Sequence, residues 1–98
     1  MPSYKRDLRI NGRTADEIYE KVQGGIENFL SKTPIGKHEI SKDPEKRVVS
    51  VKSGMFSGDL ICSDGLVKVD ASLSFMAMPF RSKLDEGLDK WVAKTFGA

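Results

Sequence analysis

The stretch FSGDLICSDGLVKVDASLSF, residues 56–75, decides the fold. In it Leu60 and Cys62 alternate with Asp59, Ile61 and Ser63, and Asp64-Gly65 supplies a turn pair. Val67, Val69, Ala71, Leu73 and Phe75 then alternate with Lys68, Asp70, Ser72 and Ser74. Successive side chains of a strand point to opposite faces, so this pattern predicts two antiparallel strands sharing one apolar and one wet face. A sheet wet on one side needs a covering layer on the other.

The sequence on either side supplies both more sheet and the cover. Upstream, Val48, Val49 and Val51 form a β-branched cluster, preceded by the turn Asp43-Pro44-Glu45-Lys46 and a short run holding His38 and Ile40. These predict a hairpin. Gly54 and Gly58 read as bracketing the tight connection that follows. Nearer the start, Tyr4, Leu8 and Ile10 alternate with Lys5, Asp7 and Arg9, with Arg6 interrupting the pattern and Asn11-Gly12 ending it. Thr14 and Glu17 then have the spacing of a capping box, in which each side chain satisfies a free amide of the first helical turn. Behind them Ile18, Tyr19, Val22, Ile26, Phe29 and Leu30 recur at helical spacing, and Pro34 with Gly36 is expected to end the helix.

Gly24-Gly25 inside that helix costs about 1 kcal/mol per residue relative to alanine, so something must offset it. One reading is close packing of the helix backbone against the sheet or another helix; the other is the approach of a ligand or partner. Downstream, Pro79 suits the first turn of a second helix, whose stripe is Phe80, Leu84, Leu88, Trp91, Val92 and Phe96. The expectation is one α+β domain over residues 1–98. It has a four- to five-stranded antiparallel sheet with two helices on one face, in the order β-α-β-β-β-β-α.

Composition bounds the function. The 98 residues suit a single core. With 16 basic against 14 acidic residues, the net charge of +2 belongs to a mixed surface, which gives nucleic-acid binding little support. One cysteine excludes an internal disulfide and fits a reducing, cytoplasmic compartment. Met1 to Arg9 has no apolar core of an export signal, and no apolar run approaches the ~20 residues of a membrane span.

No residues assemble into a catalytic set. His38 is the only histidine and falls in phase with Ile40 on a short strand, without an aligned nucleophile or carboxylate. Cys62 alternates toward the inferred core, where a free thiol behaves as a small hydrophobe. No zinc-ligand spacing is present, and Gly54 and Gly58 do not open a helix as a phosphate loop would. Asp85, Glu86 and Asp89 crowd one helix, but the apolar stripe between them and the helical spacing of Lys83, Lys90 and Lys94 make them a solvated face. No catalytic, metal or cofactor residue is assigned. What remains is apolar: Met55 and Phe56 in a connection, and Phe75, Met76, Met78 and Phe80 leading into the last helix. Such side chains either fold back over the open ends of the core or form an adaptable contact surface.

The run Phe56-Ser57-Gly58-Asp59-Leu60-Ile61-Cys62-Ser63-Asp64-Gly65-Leu66-Val67-Lys68-Val69, with Leu73, Pro79-Phe80, Leu84, Leu88 and Trp91, resembles the small polyhydroxyalkanoic acid system proteins of bacteria. That resemblance implies a cytoplasmic protein associated with polyhydroxyalkanoate storage granules or their regulation, and it transfers no catalytic residue. A looser likeness is to helix-grip domains, in which a C-terminal helix lies across a curved antiparallel sheet. Two functional expectations follow. The first is a non-enzymatic interaction protein acting through its apolar residues on a protein partner, a second copy of itself as a homodimer, or a granule surface. The second is a small helix-grip-like carrier of a hydrophobic or acyl ligand, with a pocket between the final helix and the sheet near Trp91.

Overall fold

The computed structural model describes residues 3–32 and 37–96, with the backbone alone of Met76. It contains β1 (Ser3–Arg9), α1 (Ala15–Ser31), β2 (His38–Asp43), β3 (Val48–Ser53), β4 (Phe56–Ser63), β5 (Leu66–Leu73), a 3-10 segment (Phe75–Phe80) and α2 (Arg81–Phe96). The element order and the α+β class are those expected. The sheet has five strands in the order β1-β5-β4-β3-β2, all antiparallel, with β1 and β2 at its edges. Pro34 and Gly36, expected to end the first helix, lie outside the described residues.

The register explains the core. One row across the sheet runs Tyr4, Ala71, Gly58, Val51 and Ile40; the next runs Arg6, Val69, Leu60, Val49 and Lys42. Their apolar members face α1, whose buried stripe is Ile18, Val22, Ile26 and Leu30. The outer face alternates polar side chains such as Lys5, Asp70, Asp59 and Ser50, and the Ser50 hydroxyl donates to Asp59 at 2.7 Å. Two layers with one dry face between them are what period-two strands and a period-3.6 helix jointly require.

Local chemistry fixes the ends. The capping box is present: the Thr14 hydroxyl accepts from the Glu17 amide, and the Glu17 carboxylate accepts from the Thr14 amide. The Asp64-Gly65 turn takes part as well, because the Ala15 amide donates to Asp64 at 2.7 Å and the Gly65 amide donates to the Arg13 carbonyl at 2.9 Å. Gly65 has φ of +70°, the left-handed conformation for which glycine is suited. The same turn that joins β4 to β5 therefore also anchors the start of α1.

Three expectations are corrected. Gly58 is a strand residue within β4 and not part of the preceding turn; an added Cβ there would stand 2.6 Å from the Ala71 Cβ, so the close approach of β4 and β5 needs glycine. Phe75 does not continue the inward row of β5. The strand ends at Leu73, the chain turns into the 3-10 segment to reach the helical layer, and Phe75 is left 78% exposed. Pro79 consequently lies in that 3-10 segment, two residues ahead of α2.

Candidate functional site

Arg6, which interrupts the β1 pattern, points to the inner face and is half-buried. Its guanidinium donates to the Asp85 carbonyl at 3.2 Å and to the Asp89 carboxylate at 2.7 Å, while the buried Tyr4 hydroxyl donates to the Asp85 carboxylate. Arg81 lies over the Tyr4 ring, 5.7 Å from its centroid. Asp85 and Asp89 are thus bonded to the sheet edge and are not a purely solvated face. Burial, then the bond to Asp85, pushes the Tyr4 hydroxyl up to about 12, so it stays a donor at neutral pH. The hydrogen bond that the Arg6 guanidinium donates to Asp89 holds it even more firmly charged.

A second contact holds α2 against α1. The Phe29 and Trp91 rings stack with centroids 5.1 Å apart and planes 25° from parallel. A Cβ on Gly25 would stand 3.2 Å from Trp91 Nε1, whereas one on Gly24 would meet nothing within 4 Å. Of the two readings of the glycine pair, Gly25 fits helix-on-helix packing.

Clamped on these two sides, α2 leaves a groove of about 510 Å³ along its remaining side, between the end of α1, the β3–β4 turn and the 3-10 segment. The turn is fixed from within: the Ser53 hydroxyl accepts from the Met55 and Phe56 amides at 3.2 and 3.1 Å and donates to the Phe56 carbonyl. The Ser74 amide ties the Met55 carbonyl to the end of β5 at 2.8 Å. Met55 and Phe56 thereby form one wall, and Leu73 and Ala77 lie beside them. Phe80, Leu84 and Trp91 complete the apolar lining from the other side. Next to it is a smaller space of about 40 Å³, and Phe29, Phe56 and Leu84 line both.

The residues singled out from the sequence are therefore divided. Met55, Phe56 and Phe80 line the groove, and Met55, Phe56 and Met78 pack partly buried against the core. Phe75 is the most exposed large hydrophobic of those described, Phe80 is 36% exposed, and the Met76 side chain is outside the described part. The wall from α1, and the cations Lys32, Arg81, Lys83, Lys90 and Lys94 along the rim, were not foreseen; the helical phase of the three α2 lysines was a legible signal.

The remaining reactive groups are scattered. Cys62 is buried in β4, and desolvation pushes its thiol up to about 11. His38 is half-buried on the edge strand β2, opposite Ser53. Among the described residues, no group of three or more His, Cys, Asp or Glu side chains could hold a metal ion, and no helix is long and apolar enough to cross a membrane.

A five-stranded antiparallel sheet covered on one face by two helices is the class of architecture this chain adopts. No family model matches the sequence, and no curated protein matches it. Two solved structures are similar in fold. A DUF4468 family protein from Bacteroides ovatus aligns with a TM-score of 0.66 at 14% identity, covering 98% of this chain and 86% of that one. A TBP-like protein from Parabacteroides distasonis aligns with a TM-score of 0.59 at 14% identity over 71% of this chain, which spans about half (53%) of that protein. At this identity the likeness is one of fold alone.

Proposed function

We propose that this protein is a non-enzymatic binding module that takes a hydrophobic or acyl ligand into the groove beside α2. The observation that carries the reading is the groove itself: its volume of about 510 Å³ falls in the range of small-molecule sites, and side chains from α1, the β3–β4 turn, the 3-10 segment and α2 converge on it. The high thiol pKa of Cys62 and its burial, away from the groove lining, favour binding over nucleophilic chemistry. A lone buried thiol also suits a reducing cytoplasm.

Trp91 is the only tryptophan and lines the groove, so its emission reports occupancy. Titration with a homologous series of straight-chain acyl compounds should give saturable changes that tighten with chain length. A flat response across the series contradicts the reading.

One observation favours a second reading, in which an apolar surface meets a protein partner, a second copy of the chain or a polyhydroxyalkanoate granule: Phe75 is 78% exposed. Under it, Phe75→Ser should abolish co-sedimentation with granules or shift the sedimentation coefficient of the protein. Wild-type protein that stays monomeric, free of granules and without a partner in pull-downs excludes it.

A further inference from the structure

The groove is not charge-neutral at its rim. Five of the chain's 16 basic residues line it and none of its 14 acidic residues does, although the chain as a whole is nearly balanced. The asymmetry comes from the helical phase of α2. At about 100° per residue, Lys83, Lys90 and Lys94 fall within roughly 40° of one another, Glu86 falls about 40° beyond Lys90 on the side away from Leu84 and Trp91, and Asp85 and Asp89 fall on the opposite side. Those two acids are already engaged by Tyr4 and Arg6. Among the described residues, no carboxylate lies within ion-pair distance of Lys83, Lys90 or Lys94, and all three are exposed. Gly87 lies between them on the same side and leaves the rim open there; a Cβ at Gly87 would reach Phe29 at 3.5 Å.

An apolar trough edged by cations of one sign fits a ligand that is apolar along its length and negative at one end. We infer, resting on the groove reading above, that the ligand is a free anionic amphiphile, a carboxylate or phosphate head on an apolar chain. The chain lies along Phe56, Leu84 and Trp91, and the head is held by Lys83, Lys90 and Lys94. These exposed lysines contribute modestly one by one and add through a shared target. Each methylene of the chain that enters the groove tightens binding by about fourfold.

The test compares three probes of equal chain length, decanoate, decanol and decyltrimethylammonium, each below its micelle concentration, read by Trp91 emission and by calorimetry. Decanoate is expected to bind on the order of 10-fold more tightly than decanol and to lose that advantage in high salt. Lys83→Gln, Lys90→Gln and Lys94→Gln should each weaken decanoate by roughly 2- to 5-fold and leave decanol unchanged. Exposed substitutions of this kind leave folding nearly untouched, and far-UV circular dichroism confirms that separately. Equal affinities for decanoate and decanol, or tighter binding of decyltrimethylammonium, overturn the inference about the head while leaving the groove as a site. Binding of none of the three overturns the groove reading itself. Retention on anionic phospholipid vesicles without binding of free decanoate also overturns the inference, because the ligand would then be a surface and not a free molecule.

Discussion

Gly24 and Gly25 are adjacent in α1, carry the same helix-propensity penalty, and face different surroundings, so replacing each by alanine separates propensity from packing. Gly24 is exposed and a Cβ there meets nothing within 4 Å. Gly24→Ala should therefore recover most of the propensity difference, about 0.8–1 kcal/mol. For a domain of this length that is a rise in Tm of roughly 4–8 °C. Gly25→Ala gains the same propensity but places its Cβ 3.2 Å from Trp91 Nε1 and 3.7 Å from Cζ2. The indole must yield by a few tenths of an ångström, and it is stacked on Phe29, a pair worth about 0.5–1.5 kcal/mol beyond its buried area. Overpacking of this kind costs about 1–3 kcal/mol, so the net effect runs from zero to about 2 kcal/mol of destabilisation. Thermal melts followed by far-UV circular dichroism measure the difference, and Trp91 emission should shift for Gly25→Ala alone. Equal rises in Tm for the two variants, with unchanged emission, would refute the placement of α2 against α1.

Three other outcomes follow from single contacts. Gly58→Ala should destabilise by about 1–3 kcal/mol in urea unfolding, since its Cβ would stand 2.6 Å from that of Ala71, and Ala71→Gly in the same chain should restore part of the loss. Tyr4 has a folded pKa of about 12 against an ordinary 10. The folded state therefore holds the proton more tightly, and the stability tied to it is complete below pH 10 and lost as pH rises toward 12, by at most about 1.4 kcal/mol per unit. Tyr4→Phe should flatten that alkaline fall, and an unchanged slope would show that another group causes it. Cys62, buried with its thiol pushed up to about 11, should react with Ellman's reagent only at the rate of unfolding; prompt reaction in native buffer would contradict its burial.

How much of this was legible depends on how local each signal is. The capping box at Thr14 and Glu17, the Asp64-Gly65 turn and the alternation of β5 depend on neighbours a few residues away, and the structure contains all three. The failures needed distant partners. Arg6 breaks an alternating pattern, yet it occupies an inward position because Asp85 and Asp89, 79 and 83 residues away, receive it. Phe75 continues the period of β5 on paper, but alternation carries no information about where a strand must leave the sheet to reach the helical layer. Gly58 looks like turn chemistry beside Gly54, and only the register with Ala71 reveals a strand position too tight for a side chain.

The groove was legible in outline and not in its chemistry. A space near Trp91 follows from laying an amphipathic C-terminal helix over a sheet, and the structure has one there. Its lysine edge was overlooked although the helical phase of Lys83, Lys90 and Lys94 was legible, because Lys83 and Lys90 stand three and four residues from Glu86 and read as pairing with it. Asp85 and Asp89, on the opposite side of the helix, are engaged by Tyr4 and Arg6, and the three lysines line the groove.

The most direct test of a ligand site beside α2 is a decanoate titration followed by amide chemical shifts in an ¹⁵N-labelled sample. Shifts should concentrate at Asn28 to Lys32, at Met55 and Phe56, and from Ala77 to Lys94, with β1, β2 and the outer sheet face unmoved. Perturbations confined to the outer face, or spread evenly over the chain, would contradict the assignment of the groove as the site.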